Sequence, residues 1–473
     1  MPVGIDQVRH DAASLYQFID SIASDCQRIE QYPSYTKPSK LFFTYIHDLA
    51  FATKAYVADF VNSLDPASAV ADPQDFYSRT QVIRTLRMSW FELHNWVKPA
   101  LDADTLHFPF SLVKALTARL QSLAGFKNAE FAVLHSTQLN YFQIGARQFR
   151  DFAQEIGQIV PSAPPFPSNL GIIALPYSQS SNTFLNIALA HEMGHFVFQE
   201  RNEAARLTSY VLAEIQRAAA QPLANLDFVW SKDRVLQWCE EIYCDLFALW
   251  LIGPSFSFAF IELFAYSRLA PRATQSGGTL APIASLSAFY DSHPAPAFRL
   301  GEHVRFLKSP DVDWWDKIES GTSHYLQLLS EAEALPQSIF GFSTSHQQSQ
   351  QYQTDLNSIT LRAFWGVMDR IRDAISSTFA GVSSESNLFK QLREPISEYL
   401  SYGVVPSRIV LEGNAITPSV APVVNAAHLF YLEQLDTLIN RIRGAQVECL
   451  DCRALWSERV EMWTSKALED ITA

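Results

Sequence analysis

Several things are scarce in this chain, and each scarcity narrows what it can be. Five cysteines, Cys26, Cys239, Cys244, Cys449 and Cys452, are spread through 473 residues. So odd and sparse a set builds no disulfide framework and fits reduced thiols in a cytosol. Cys449 and Cys452 form one CxxC with no second pair nearby, so a structural zinc there would need two ligands from elsewhere. Basic residues are outnumbered, 36 Lys and Arg against 49 Asp and Glu, for a net charge of -13. That balance argues against general binding of nucleic acid or an anionic membrane surface. The longest apolar stretch, Leu246 to Ile261, is short for a membrane span and is broken at Gly253-Pro254. A buried helix, a turn and a second buried helix is expected instead. The N-terminus, MPVGIDQVRHDAASLYQF, lacks a basic segment followed by an apolar one, so no signal peptide and a cytoplasmic location are expected.

Core material is abundant. Hydrophobic residues make up 48% of the chain and aromatics 13%, with 33 Phe, over a length that suits two or three subdomains. Helical periodicity predicts helices over 6–31, 40–63, 73–94 and 110–123, with Leu15, Phe18, Ile19 and Ile22 marking one inner face. Near Asn128 the pattern changes. Glu130–His135 reads as a strand, 141–159 as a helix, and Leu170–Leu175 as a short strand ended by Pro176. A free edge on that strand would pair with an extended peptide; an ordinary buried strand is the alternative. Helices are expected again over 201–220, 231–251, 355–379, 386–402, 425–443 and 455–468, with no internal repeat.

Within the apolar run Thr183–Gln199 lie His191, Glu192 and His195, an H-E-x-x-H motif with Asn182 or Thr183 as its helix cap. Residues four apart share a helix face, so both imidazoles enter one space with Glu192 beside it. Two neutral imidazoles suit a tetrahedral Zn2+, and the carboxylate suits a base that takes a proton from water. Buried on an apolar helix without a partner, these three side chains would be costly.

A catalytic zinc takes a third protein ligand and keeps a position open. The histidine-ended extension H-E-x-x-H-x-x-G-x-x-H is absent, so the ligand must come from another element. Residues 231–251 contain Glu240, Glu241 and Asp245, flanked by Leu246, Phe247, Leu249 and Leu251. Glu241 and Asp245 are one turn apart. One can bind the metal while the other accepts the remaining N–H of a ligand histidine. Glu240 points about 100° away and is the second choice.

H-E-x-x-H followed by E-x-x-x-D on a later helix resembles the gluzincin zinc peptidases. Gly194 before the second histidine, and Ser292-His293-Pro294 followed by Arg299-Leu300, are similar to the HtpX and CaaX-prenyl-endopeptidase group. The resemblance covers roughly residues 129–305. It implies His191, His195 and Glu241 as ligands of Zn2+, Glu192 as base, Asp245 supporting a ligand, and His293 and Arg299 lining the site. The fold then expected is mainly α: a zincin-like α+β metallopeptidase core with a small sheet over 127–308. Helical regions over 1–126 and 309–473 would flank it. The membrane helices of that group are missing.

The expected function is zinc-dependent endopeptidase activity on a protein or peptide substrate. His293, Tyr290 and Tyr243 are the candidate donors to the oxyanion. No G-x-M-E-N motif precedes the zinc helix, which disfavours an exopeptidase. Two other readings stand beside it: a zinc amidohydrolase of non-peptide substrates, and a helical scaffold whose zinc is structural or inert. A purely structural site has no use for Glu192. An open protease in a cytosol also implies narrow specificity or a regulatory protein partner.

Overall fold

The computed structural model describes residues 5–30, 37–64, 73–102, 109–136, 142–143, 146–176, 182–219, 223–266, 283–289, 293–319, 324–342, 350–411, 413–435, 439 and 450–472. In chain order the helices and strands are α1 (Ile5–Glu30), α2 (Lys37–Asn62), α3 (Pro73–Asp102), α4 (Phe110–Gln121), β1 (Glu130–Ser136), β2 (Phe142–Gln143), α5 (Ala146–Ile159) and β3 (Leu170–Pro176). There follow α6 (Leu189–Glu200), α7 (Glu203–Ala218), α8 (Asn225–Ile252), α9 (Ser255–Phe260), β4 (Ala288–Phe289), α10 (Pro296–Leu307), α11 (Trp315–Ile318), α12 (His324–Glu333) and β5 (Gly341–Phe342). The chain closes with α13 (Gln350–Thr378), α14 (Ser386–Ser401), β6 (Ile409–Leu411), β7 (Asn414–Ile416), α15 (Val420–Glu433) and α16 (Leu450–Thr472). The protein is mainly helical with little sheet.

Contacts divide the chain into two compact units, one of residues 1–108 and 128–180, the other of 109–127 and 181–473. This differs from the division into 1–126, 127–308 and 309–473 drawn from the sequence. The first three strands and helices α1 to α3 share one unit, and the H-E-x-x-H helix shares the other with the C-terminal helices.

In the first unit β1 and β3 run parallel, from Glu130 opposite Leu170 to Ser136 opposite Pro176. Parallel neighbours need a crossover, and β2 with α5 lie in it. β3 is buried along its whole length, which explains its unbroken apolar sequence. The strand order is β1-β3-β2, so β3 is central and its second side pairs with Phe142 and Gln143. The edge expected to be free is thus occupied at Ile173 and Ala174, which favours the ordinary buried strand, and Phe142–Gln143 is strand where the helix expected over 141–159 begins only at Ala146. The core packs Phe42 against Phe149 at 5.3 Å and Phe149 against Phe166 at 5.0 Å.

In the second unit α8 is the hub, with α6, α7, α10 and α13 packed on it. It ends where the sequence places the break. Gly253 takes φ 79°, and a Cβ there would meet Asn425 Nδ2 at 2.9 Å and the Trp314 ring at 3.0 Å. Buried Asn425 closes the turn by donating to the Ile252 carbonyl at 2.6 Å and accepting from the Ser255 N–H at 2.7 Å. Two groups orphaned at facing helix ends are thereby satisfied. Among the described residues no helix is long and apolar enough to cross a membrane.

Candidate metal centre

α6 follows a 3-10 turn over Leu185–Ala188, whose first N–H donates to Asn182 Oδ1 at 2.9 Å. The helix is buried nearly all round, His191 and Glu192 included, at 8% and 6% exposure. It ends at Glu200, and Asn202 turns the chain in the left-handed region at φ 54°, a conformation asparagine tolerates. The His191 and His195 rings lie 4.9 Å apart, and His191 lies parallel to Phe256 at 6.0 Å.

α8 brings its acidic residues to these rings. Glu241 Oε2 lies 3.6 Å from His191 Nε2, and Oε1 lies 3.7 Å from His195 Nε2. Donors about 2.0–2.1 Å from one tetrahedral zinc are separated by about 3.4 Å, so the spacing suits a shared ion. The other nitrogens are engaged as well. His191 Nδ1 is 2.9 Å from Asp245 Oδ1, and His195 Nδ1 is 2.9 Å from Glu240 Oε1. Glu240 is within hydrogen-bond distance of His195 Nδ1 and Asp245 faces His191 Nδ1 as a close counter-charge, an arrangement that favours Nε2 lone pairs directed toward Glu241. Glu240, expected to point elsewhere as a second-choice ligand, thus supports His195.

α10 supplies the positive charge. Arg299 Nε and Nη2 donate to both oxygens of Asp245 at 2.7 and 2.6 Å, and Nη1 lies 3.2 Å from Glu241 Oε2. Arg299 is only 4% exposed, and its guanidinium grips two carboxylates, so it positions them instead of presenting itself to a substrate. His293 Nε2 lies 3.8 Å from Glu241 Oε1 with its side chain half-exposed, so it can meet a ligand from outside. Tyr290 and Ser292 lie outside the described residues. Tyr243 is fully buried, its hydroxyl 2.8 Å from Thr378 Oγ1 and its ring against Phe198. It sits about 160° around α8 from Glu241, so it is no oxyanion donor.

Two participants escaped the sequence reading. His303 is fully buried, its Nε2 3.2 Å from Asp245 Oδ2 and its Nδ1 3.2 Å from Ser257 Oγ. It follows Arg299 by one turn, so the four-residue spacing of His191/His195 and Glu241/Asp245 recurs on a third helix. The second is Cys244, whose sulfur and one nitrogen each of His191 and His195 lie within 4.8 Å of one another. Cys26, Cys239 and Cys244 are buried and form no disulfide, whereas the Cys449 and Cys452 side chains lie outside the described residues.

Burial and neighbouring charge pull these groups in opposite directions. Burial pushes the Asp245 carboxyl up, but Arg299, His191 and His303 hold it well below the usual carboxylate range. Burial also works against ionised Glu241, and Arg299, His191, His195 and His293 outweigh it. His195 is raised well above the ordinary imidazole range despite its burial, because Cys244, Glu240 and Glu241 surround it. Burial pushes the Cys244 thiol up to about 12 even though His195 pulls it down. His293 is lowered by burial and by repulsion from Arg299, His191 and His195.

No family model matches this chain, and neither the curated proteins nor the solved structures compared with it include a match.

Proposed function

We propose that the protein is a zinc-dependent endopeptidase of gluzincin type, with Zn2+ held by His191, His195 and Glu241 and a zincin-like core built on α6, α8 and α10. The observation that carries this reading is the placement of the two Glu241 oxygens 3.6 and 3.7 Å from the Nε2 atoms of the paired histidines. Zn2+ bound there supplies Lewis acidity, lowering the pKa of water toward neutrality and polarising a carbonyl.

The remaining work falls to the chain. Glu192, beside His191 on α6, takes the proton of the attacking water and delivers it to the leaving amine. Asp245 and Glu240 hold the two imidazoles in their binding tautomer. Arg299 keeps Asp245 and Glu241 ionised and in place within a buried setting. His293 donates to the oxyanion as the carbonyl becomes tetrahedral. The substrate is a protein or peptide. The helices outside the core dock a regulatory partner, and the protein acts in the cytoplasm.

Glu192→Gln tests the reading. It should retain one zinc per chain while cleavage of an unfolded protein mixture falls by about 10²–10⁴-fold. Cleavage at the wild-type rate would remove Glu192 from the mechanism. Zinc bound with no cleavage by the wild-type chain would favour the scaffold or the non-peptide amidohydrolase.

A further inference from the structure

The proposed reaction makes no use of Cys244, which lies where α8 meets α6 at Gly194. At about 100° per residue, with Glu240 at 0°, Cys244 falls at about 40°, Glu241 at about 100° and Asp245 at about 140°. Cys244 therefore projects between Glu240, which holds His195, and Glu241, which faces both imidazoles. The helices touch here. A Cβ added to Gly194 would lie 2.8 Å from Cys244 Cα and 3.1 Å from its Cβ. Gly194, between the two histidines, lets α8 approach until the thiol shares their space, where two imidazole nitrogens and Cys244 Sγ lie within 4.8 Å of one another.

We infer that Cys244 is a metal ligand, its sulfur binding the same ion as His191 and His195. This rests on the reading that an ion sits between the histidines, not on peptidase activity. Forming the metal–sulfur bond breaks the S–H bond, and one proton per ion leaves to solvent. A thiolate with two imidazoles selects borderline-soft cations such as Zn2+ and Co2+ over Mg2+, Ca2+ and Mn2+. Glu241 keeps its place, its Oε2 held by Arg299 Nη1 at 3.2 Å, and the water of the proposed reaction would enter as a fifth ligand.

Full-length, metal-stripped protein titrated with Co2+ is the test. One Co2+ should bind per chain and produce a near-ultraviolet sulfur-to-cobalt charge-transfer band. Cys244→Ser should lose that band and bind Co2+ roughly tenfold more weakly or worse, with Mn2+ affinity nearly unchanged. X-ray absorption on the zinc-loaded wild type, which needs no variant, should place one sulfur at about 2.3 Å. The inference is overturned if Co2+ binds in a manner that His191→Ala and His195→Ala abolish, yet no sulfur band arises, or if the band survives in Cys244→Ser. No Co2+ bound at all overturns it together with the metal reading. A sulfur band in a chain that cleaves nothing leaves the ligand assigned and removes only the peptidase.

Discussion

At the scale of single residues, each imidazole of the pair has a carboxylate near both of its nitrogens, Glu241 on the Nε2 side and Asp245 or Glu240 on the Nδ1 side. Asp245 sits between His191 Nδ1, Arg299 and His303 Nε2, all within 3.2 Å. Asp245→Asn should weaken zinc binding about 10–100-fold, the usual loss when a partner behind a ligand is removed. It should also destabilise the fold by about 3–5 kcal/mol, because a buried guanidinium loses its counter-charge. Competition with a chromogenic chelator and urea unfolding measure the two. Unchanged zinc affinity would mean that Asp245 braces Arg299 alone. Much at this scale was legible in the sequence, since His191, His195, Glu241 and Asp245 announce themselves by spacing. Cys244 and His303 did not. An isolated thiol or imidazole on an apolar helix carries no signal until the neighbouring helix is known.

At the scale of elements, the centre depends on how closely α6 and α8 pack. Alanine is a better helix former than glycine by about 1 kcal/mol, so propensity alone would make Gly194→Ala stabilising. The 2.8 Å approach to the Cys244 backbone reverses the sign, because backbone cannot swing aside as a side-chain tip can. Gly194→Ala should cost about 1–3 kcal/mol in urea unfolding and weaken zinc binding with it; a gain in stability would contradict the packing. Asn425 does comparable work at the α8–α9 turn, and Asn425→Leu should cost at least about 2 kcal/mol through the unmet Ile252 carbonyl and Ser255 N–H. The helices and long strands of the sequence reading recur in the structure with shifted ends, because periodicity survives wherever one face is buried. β2 was missed because two residues are too few to show alternation. Whether β3 had a free edge was likewise invisible, since that depends on which chain segment returns beside it.

At the scale of the whole molecule, the sequence does not reveal how the units divide, because residues 109–127 and 128–180 exchange places between them. In the second unit, α16 is tied to the segment that leads into α6. Glu461 accepts the Thr183 N–H at 2.9 Å, and Thr183 Oγ1 lies 2.7 Å from Ser465 Oγ. Burial raises the Glu461 carboxyl from 4.5 to about 7. A folded value above the unfolded one means the folded state holds this proton more tightly. The contribution is therefore full below about pH 4.5 and is lost as pH rises through about 7. Across that window wild type should lose stability relative to Glu461→Gln, as followed by thermal unfolding. Parallel pH profiles would show that Glu461 does not titrate there.

The central claim is that one ion lies where three helices converge, and anomalous diffraction at the zinc edge tests it most directly. A single peak is expected about 2.0–2.2 Å from His191 Nε2, His195 Nε2 and a Glu241 oxygen. A zinc-saturated crystal with its anomalous density anywhere else, or with none between these side chains, would contradict it.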